Sequence, residues 1–295
     1  MLKKWFGIAA TVLTTAAAAV IPGILAAPEA SAQVCPALTV VAARGSGENY
    51  GANWAPQVYG PSPWVSNGRE GPTLAGMFHY IESWYNQTYG GSVMNSVFVL
   101  GLDEYKYPAM APDRDIKPPT NIEEGINIAR ELILPQAALF RDSFINGTHG
   151  ILAAIDEYEA WSGCHPQYVL AGYSQGAVVT HGVERELARQ GRLAGTINLG
   201  SPYTSKGDPH RIGTGLTGDG ILAWTPLGSG KLSGVDRIEY CVADDPFCDM
   251  NPGKYIDRLP VDYLAHGSYF RWNSSQWQDR AAVAQRFSSW VDARR

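Results

Sequence analysis

One stretch constrains the fold more than any other. Residues 167–180 read QYVLAGYSQGAVVT. Strand formers from Tyr168 to Ala171 run into Gly172-Tyr173-Ser174-Gln175-Gly176. Small apolar residues then continue at helical spacing as far as Gly191, a helix stop. A strand that becomes a helix with no loop between them needs a very sharp backbone turn. Glycines on both sides of that turn remove the Cβ atoms that would block it. Such a unit fits a parallel sheet with helices packed behind it, and it holds one hydroxyl up at the carboxyl end of a central strand. The competing reading is a tight turn that happens to contain a serine. The strand before the motif and the helix after it weigh against that.

The rest of the chain repeats the alternation. LTVVAA (38 to 43), SVFVLG, GTINLG and DRIEYCV read as further strands. TLAGMFHYIESWYN (73 to 86) reads as a helix with Leu74, Met77, Phe78 and Ile81 on one stripe. From Asn121 to about Trp161 the pattern is helical, with breaks expected at Pro135 and near Asn146-Gly147. The tail from Gln276 to Ala293 is amphipathic, with Trp277, Val283, Phe287, Trp290 and Val291 available to dock on the sheet. These patterns predict an α/β protein: a three-layer α/β/α sandwich with a mainly parallel central sheet. Three Gly/Pro-rich connections, 47 to 72, 101 to 120 and 201 to 234, are longer than such a frame needs. Trp54, Tyr59, Trp64, Tyr105 and Tyr107 within them favour ordered loops.

Two further features bound the setting. Lys3 and Lys4, an apolar stretch from Trp5 to about Ala27, and Ala30-Ser31-Ala32 make a complete secretory signal pattern. A membrane anchor is the alternative. The expected product is an exported single domain, 33–295, that is monomeric and not inserted in a membrane. A formal net charge of −5 without a Lys/Arg run argues against nucleic acid. Four cysteines, Cys35, Cys164, Cys241 and Cys248, all lie after the signal. An even count in an oxidising compartment predicts two disulfides. Spacing favours Cys241 with Cys248, leaving Cys35 for Cys164, although three pairings are possible. With no Cys-x-x-Cys and no His pair at ligand spacing, no metal and no organic cofactor is expected.

An exposed serine at such a turn suggests a nucleophile, which needs a base and an orienting carboxylate. In sheets of this kind the chain order is Ser, acid, His. His79, His149 and His165 precede Ser174, His181 shares its helix, and His210 precedes the candidate acids. His266 alone follows CVADDPFCD, so it is the candidate base. The acid is Asp244, Asp245 or Asp249, and position does not separate Asp244 from Asp245. The amide of Gln175, directly after the serine, is the expected oxyanion donor.

Three separated stretches, CPALTVVAARGSGE, CHPQYVLAGYSQGA and CVADDPFC, together resemble the cutinase family of secreted α/β-hydrolase serine esterases, in its actinobacterial form. The resemblance implies Asp245 as the acid, Ser46 as the second oxyanion donor, and the pairings Cys35–Cys164 and Cys241–Cys248. Without it, RGSGE would read as a plain turn. It also implies hydrolysis of carboxylic esters, with an acyl lipid, a polyester or an envelope glycolipid such as a trehalose mycolate as the partner. An acetyl-carbohydrate (acetylxylan-type) esterase would share the whole constellation. An inactive cell-envelope binding protein of the same fold is the reading from another class. The chain departs from the compact family pattern in its three long loops and in a longer stretch between Cys248 and His266. No segment reads as an amphipathic lid, so an open site is expected.

Overall fold

The computed structural model describes residues 34–48, 55–110, 121, 123–124, 134–231, 234–251, 264–271 and 276–295. The chain divides into two units, Met1–Gln33 and Val34–Arg295. The signal expected at 1–32 lies outside the described residues, as do Trp54 and parts of all three long loops.

Six strands form one sheet: β1 (Leu38–Ala43), β2 (Val97–Gly101), β3 (Gln167–Tyr173), β4 (Leu193–Leu199), β5 (Arg211–Ile212) and β6 (Arg237–Tyr240). Their order is β2-β1-β3-β4-β6-β5 and every pairing is parallel. Among the described residues the long helices are α1 (Pro72–Tyr89), α2 (Leu134–Ser162), α3 (Gln175–Arg189) and α4 (Trp277–Asp292). Alternate strand residues face opposite layers, as the period-2 geometry of a strand requires. Leu38, Val40, Ala42, Val169, Ala171, Ile197 and Ile238 pack in one core with α1 and α4. Val41, Ala43, Tyr168 and Leu170 pack in the other with α2 and α3. Both faces are therefore covered, which is why the central strands β1 and β3 read as near-continuous runs of Val, Leu and Ala rather than alternating ones.

Sequence expectation and structure part at three places. Helix α2 does not break at Asn146-Gly147. A Cβ on Gly147 would come within 2.8 Å of Val179 on α3 and 2.9 Å of Tyr107, so the glycine there permits close packing rather than interrupting the helix. Pro135 is the second residue of the described part of the helix, and the residues that precede Leu134 lie outside the described ones. Trp277 does not dock: it is 65% exposed, while Val283, Phe287, Trp290 and Val291 are buried. It opens α4, and helical side chains lean toward the N-terminus, so its ring projects past the helix start. Of the loop aromatics, Tyr59 and Tyr107 are buried, but Tyr105 stands in solvent. Among the described residues no helix is long and apolar enough to cross a membrane.

Candidate active site

β3 is central, flanked by β1 and β4, and Ser174 is the residue between its end and the start of α3. Its backbone sits at φ 54°, ψ −116°, a conformation that side-chain-bearing residues adopt only when the surroundings enforce it. Those surroundings are on both sides. The Ser174 N–H donates to the Leu199 carbonyl on β4 at 2.9 Å, and its carbonyl accepts from Ala177 N–H at 3.0 Å. A Cβ on Gly176 would lie 1.9 Å from the Ala43 carbonyl oxygen, and one on Gly172 would lie 2.6 Å from Ala177. The motif's two glycines are thus required by backbone-to-backbone approach, which no side-chain rearrangement relieves.

The structure brings Ser174, His266 and Asp245 into one row. His266 Nε2 lies 2.8 Å from Ser174 Oγ, and His266 Nδ1 lies 2.8 Å from Asp245 Oδ2. Asp245 is fully buried, whereas the imidazole keeps some access to solvent. Asp245 Oδ1 accepts the Phe247 N–H at 2.8 Å. The Phe247 ring packs on the imidazole with centroids 4.4 Å apart, and Tyr173 stacks on it at 5.3 Å. Tyr173 also donates its hydroxyl to the His266 carbonyl at 2.6 Å. The elbow therefore carries the serine and also holds the backbone of the histidine. Burial raises the Tyr173 pKa, so the hydroxyl remains a donor.

The neighbouring acids have other partners. Asp244 is exposed at φ 64°, with its N–H given to Asp249 Oδ2 at 3.0 Å. Asp249 is buried and accepts from the backbone N–H groups of Thr217, Gly218 and Asp244, binding the 201–231 loop to the acid loop. The disulfides join Cys35 to Cys164, with Cα atoms 5.6 Å apart, and Cys241 to Cys248, 5.9 Å apart. The first ties the amino ends of the neighbouring strands β1 and β3, and the second closes the loop that carries Asp245.

Ser46 lies in the turn that leaves β1, and β1 ends beside β3 through the Ala43–Gly172 pair. Ser46 and Ser174 thus leave the same edge of the sheet. The half-buried Glu48 side chain holds the turn, accepting from Gly45 N–H at 2.9 Å, Thr73 N–H at 3.1 Å and Thr73 O–H at 2.6 Å. Burial raises the pKa of that carboxyl despite these donors. Gln175 opens α3, where backbone N–H groups have no helical partner. Its side chain is held away from the serine: Oε1 lies 3.0 Å from Ser143 Oγ and 3.1 Å from Tyr107 Oη, and both hydroxyls can donate to it. Sequence reading found none of Tyr173, Tyr107, Ser143 or Tyr269. Each bonds across 24 residues or more, and no local pattern marks such partners. Among the described residues no cluster of His, Cys, Asp and Glu is suited to a metal ion.

No family model matches the chain, and no curated protein matches it. Solved structures do resemble it. A cutinase-like protein from Cryptococcus sp. is 17% identical, with 87% of this chain and 96% of that one covered and a TM-score of 0.49. The catalytic core domain of acetyl xylan esterase from Trichoderma reesei is 19% identical over 89% of this chain and all of that one, at 0.48. A Trichoderma reesei cutinase solved with a phosphonate inhibitor is 15% identical over 87% and 77%, at 0.40. The structural neighbours are thus cutinase-like proteins and acetyl xylan esterases, at low sequence identity.

Proposed function

We propose that the chain is a serine esterase that hydrolyses carboxylic, lipid-type esters through an acyl-enzyme. The observation that carries this reading is the unbroken row Ser174 Oγ–His266 Nε2 and His266 Nδ1–Asp245 Oδ2, both contacts at 2.8 Å, set at a strained strand-to-helix turn. Neutral His266 takes the Ser174 proton at Nε2 as Oγ attacks the ester carbonyl. Asp245 keeps the other ring nitrogen protonated and stabilises the imidazolium. Charge developing on the carbonyl oxygen falls at the start of α3, where the Gln175 N–H is the first donor and Ser46 the second. Preorganised donors of this kind contribute roughly 3–4 kcal/mol each to the barrier. The proton then passes from His266 to the leaving alcohol, and water repeats the sequence to free the acid.

Two disulfides fit an oxidising compartment, and with the signal pattern at 1–32 they support an exported protein. The proposal includes a site open to solvent and a monomeric protein that needs no cofactor. Fluorophosphonate labelling tests it: rapid, stoichiometric modification of Ser174 is expected, and an unreactive serine would favour the binding-protein reading. A panel of p-nitrophenyl esters of rising chain length, a triacylglycerol, acetylated xylan and a trehalose ester then separates the ester classes. A shallow optimum over short and medium chains is expected, because one methylene changes the barrier by only about 1–3 kcal/mol. Strict preference for acetyl groups on the polysaccharide would transfer the assignment to an acetyl-carbohydrate esterase.

A further inference from the structure

Asp245 Oδ2 receives two donors from a single turn. His266 Nδ1 approaches it at 2.8 Å, and the hydroxyl of Tyr269, three residues later, approaches the same oxygen at 2.6 Å. The direction of the second bond follows from valence. Tyr269 Oη accepts the Val242 N–H at 3.1 Å. Its other polar neighbour, Cys248 Sγ at 3.3 Å, belongs to a disulfide and carries no hydrogen. The one phenolic proton therefore has a carboxylate oxygen as its strong acceptor. Burial and the adjacent Asp245 raise the Tyr269 pKa well above its ordinary value, so the group donates throughout the working range. The ring is fixed by Tyr240 from β6 and Tyr173 from the elbow, with centroids 5.3 and 5.7 Å away. Among the described residues, Glu48, from the turn after β1, and Arg271, at the end of the tyrosine's own turn, also act electrostatically on Tyr173, which stacks on His266.

We propose that Tyr269 is a positioning residue for the reaction, fixing the Asp245 carboxylate and sharing its Oδ2 with His266. This rests on the esterase reading above. A carboxylate oxygen that already holds a strong donor is a weaker partner for imidazolium, so the tyrosine restrains the basicity of His266 while fixing the geometry of the pair. It acts through Asp245 and touches no substrate.

The test is Tyr269→Phe, which keeps the ring and removes the hydroxyl. Loss of one hydrogen bond to a charged group predicts a fall in kcat of about tenfold, with KM unchanged. The acid limb of the kcat/KM–pH profile should move upward, because the unshared carboxylate holds the imidazolium more strongly. A ring-fluorinated tyrosine placed at position 269 keeps the fold and makes the donor more acidic, and it should move the same limb downward. A purely structural role predicts neither shift, and wild-type kcat and limb in both variants would overturn the proposal. If Tyr269→Phe does not fold, the fluorinated variant decides alone. The rate of fluorophosphonate labelling separates the two levels. Wild-type protein that does not react overturns the esterase reading and this inference with it. Wild type that reacts, with both variants matching it at every pH, overturns only this inference.

Discussion

Helix α3 begins directly after the serine, and about two turns further along it sits a second histidine in a wholly different environment. His181 and His266 each meet carboxylates through ring nitrogens, yet they are arranged for opposite purposes. His181 is sealed between α3, β4 and β6, with Nδ1 3.2 Å from Glu184 and Nε2 3.3 Å from Glu239. Asn198 and Arg237 close the remaining sides of this cluster, and its side chains are fully buried. His266 has one nitrogen on an acid and the other on a hydroxyl, and it keeps some access to solvent. A histidine sealed from solvent with glutamates on both sides meets no substrate to which it could relay a proton. A histidine with an acid on one side and a serine on the other can accept a proton and return it. The residue type is shared, and the second partner and the exposure set the role.

The largest effect that would break this contrast is expected at the site. Ser174→Ala and His266→Ala should each lower kcat/KM by roughly 10⁴-fold or more, because such residues act as a unit. Thermal midpoints should stay near wild type, since neither side chain anchors a core. Substantial residual turnover of a soluble ester in either variant removes the site from the comparison.

That site was partly legible in advance, and its legible part is the local part. Gly172 to Gly176 announces the turn because the backbone collisions fall within a few residues and on the adjacent strand. His266 follows from chain order. Asp245 does not follow from position alone; the resemblance carried that choice. The sheet was readable wherever strands are continuous apolar runs, while β5, two residues long, left no pattern to read. Gly147 was misread because packing against Val179 and helix interruption leave the same mark in a sequence. Tyr269 was invisible: a tyrosine three residues after a histidine has no meaning until the fold carries Asp245 to it.

Next in size is the acid loop, where the proposed esterase reading assigns chemistry to Asp245 and leaves Asp249 to hold the loop together. Asp245→Asn should cost roughly 10³–10⁴-fold in kcat with little loss of stability, as the amide favours the wrong tautomer of His266. Asp244→Asn should leave both properties unchanged. Asp249→Ala leaves the buried Gly218 N–H and the part-buried N–H groups of Thr217 and Asp244 without their acceptor; a buried donor left unsatisfied costs about 1–3 kcal/mol, so the change should show chiefly as a lower urea midpoint. An Asp249 variant that is stable but inactive would exchange the roles of the two acids.

The comparison sharpens further at His181. His181→Ala leaves Glu184 and Glu239 buried without their shared cation. Removing one member of a buried pair costs about 3–5 kcal/mol. Ser174 labelling per folded molecule should nonetheless remain at the wild-type rate. Loss of labelling in a folded His181 variant would mean that the buried cluster and the site are coupled.

The smallest expected effect is the pH dependence of stability, and His181 carries it. Burial alone would lower the His181 pKa, but Glu239 and Glu184 outweigh it and raise the group to about 9. In the unfolded chain histidine titrates near 6.5. The folded state therefore binds the proton more tightly, and this contribution to stability is fully present below about 6.5. Above that, the unfolded chain has released its proton while the native one retains it. Stability then declines by up to about 1.4 kcal/mol per pH unit until the folded value is passed near 9. Urea melts from pH 6 to 9 should therefore show a midpoint that falls as the pH rises. In His181→Ala the alkaline decline should flatten. A decline that survives the substitution would assign the alkaline sensitivity to another group and leave His181 as neutral packing.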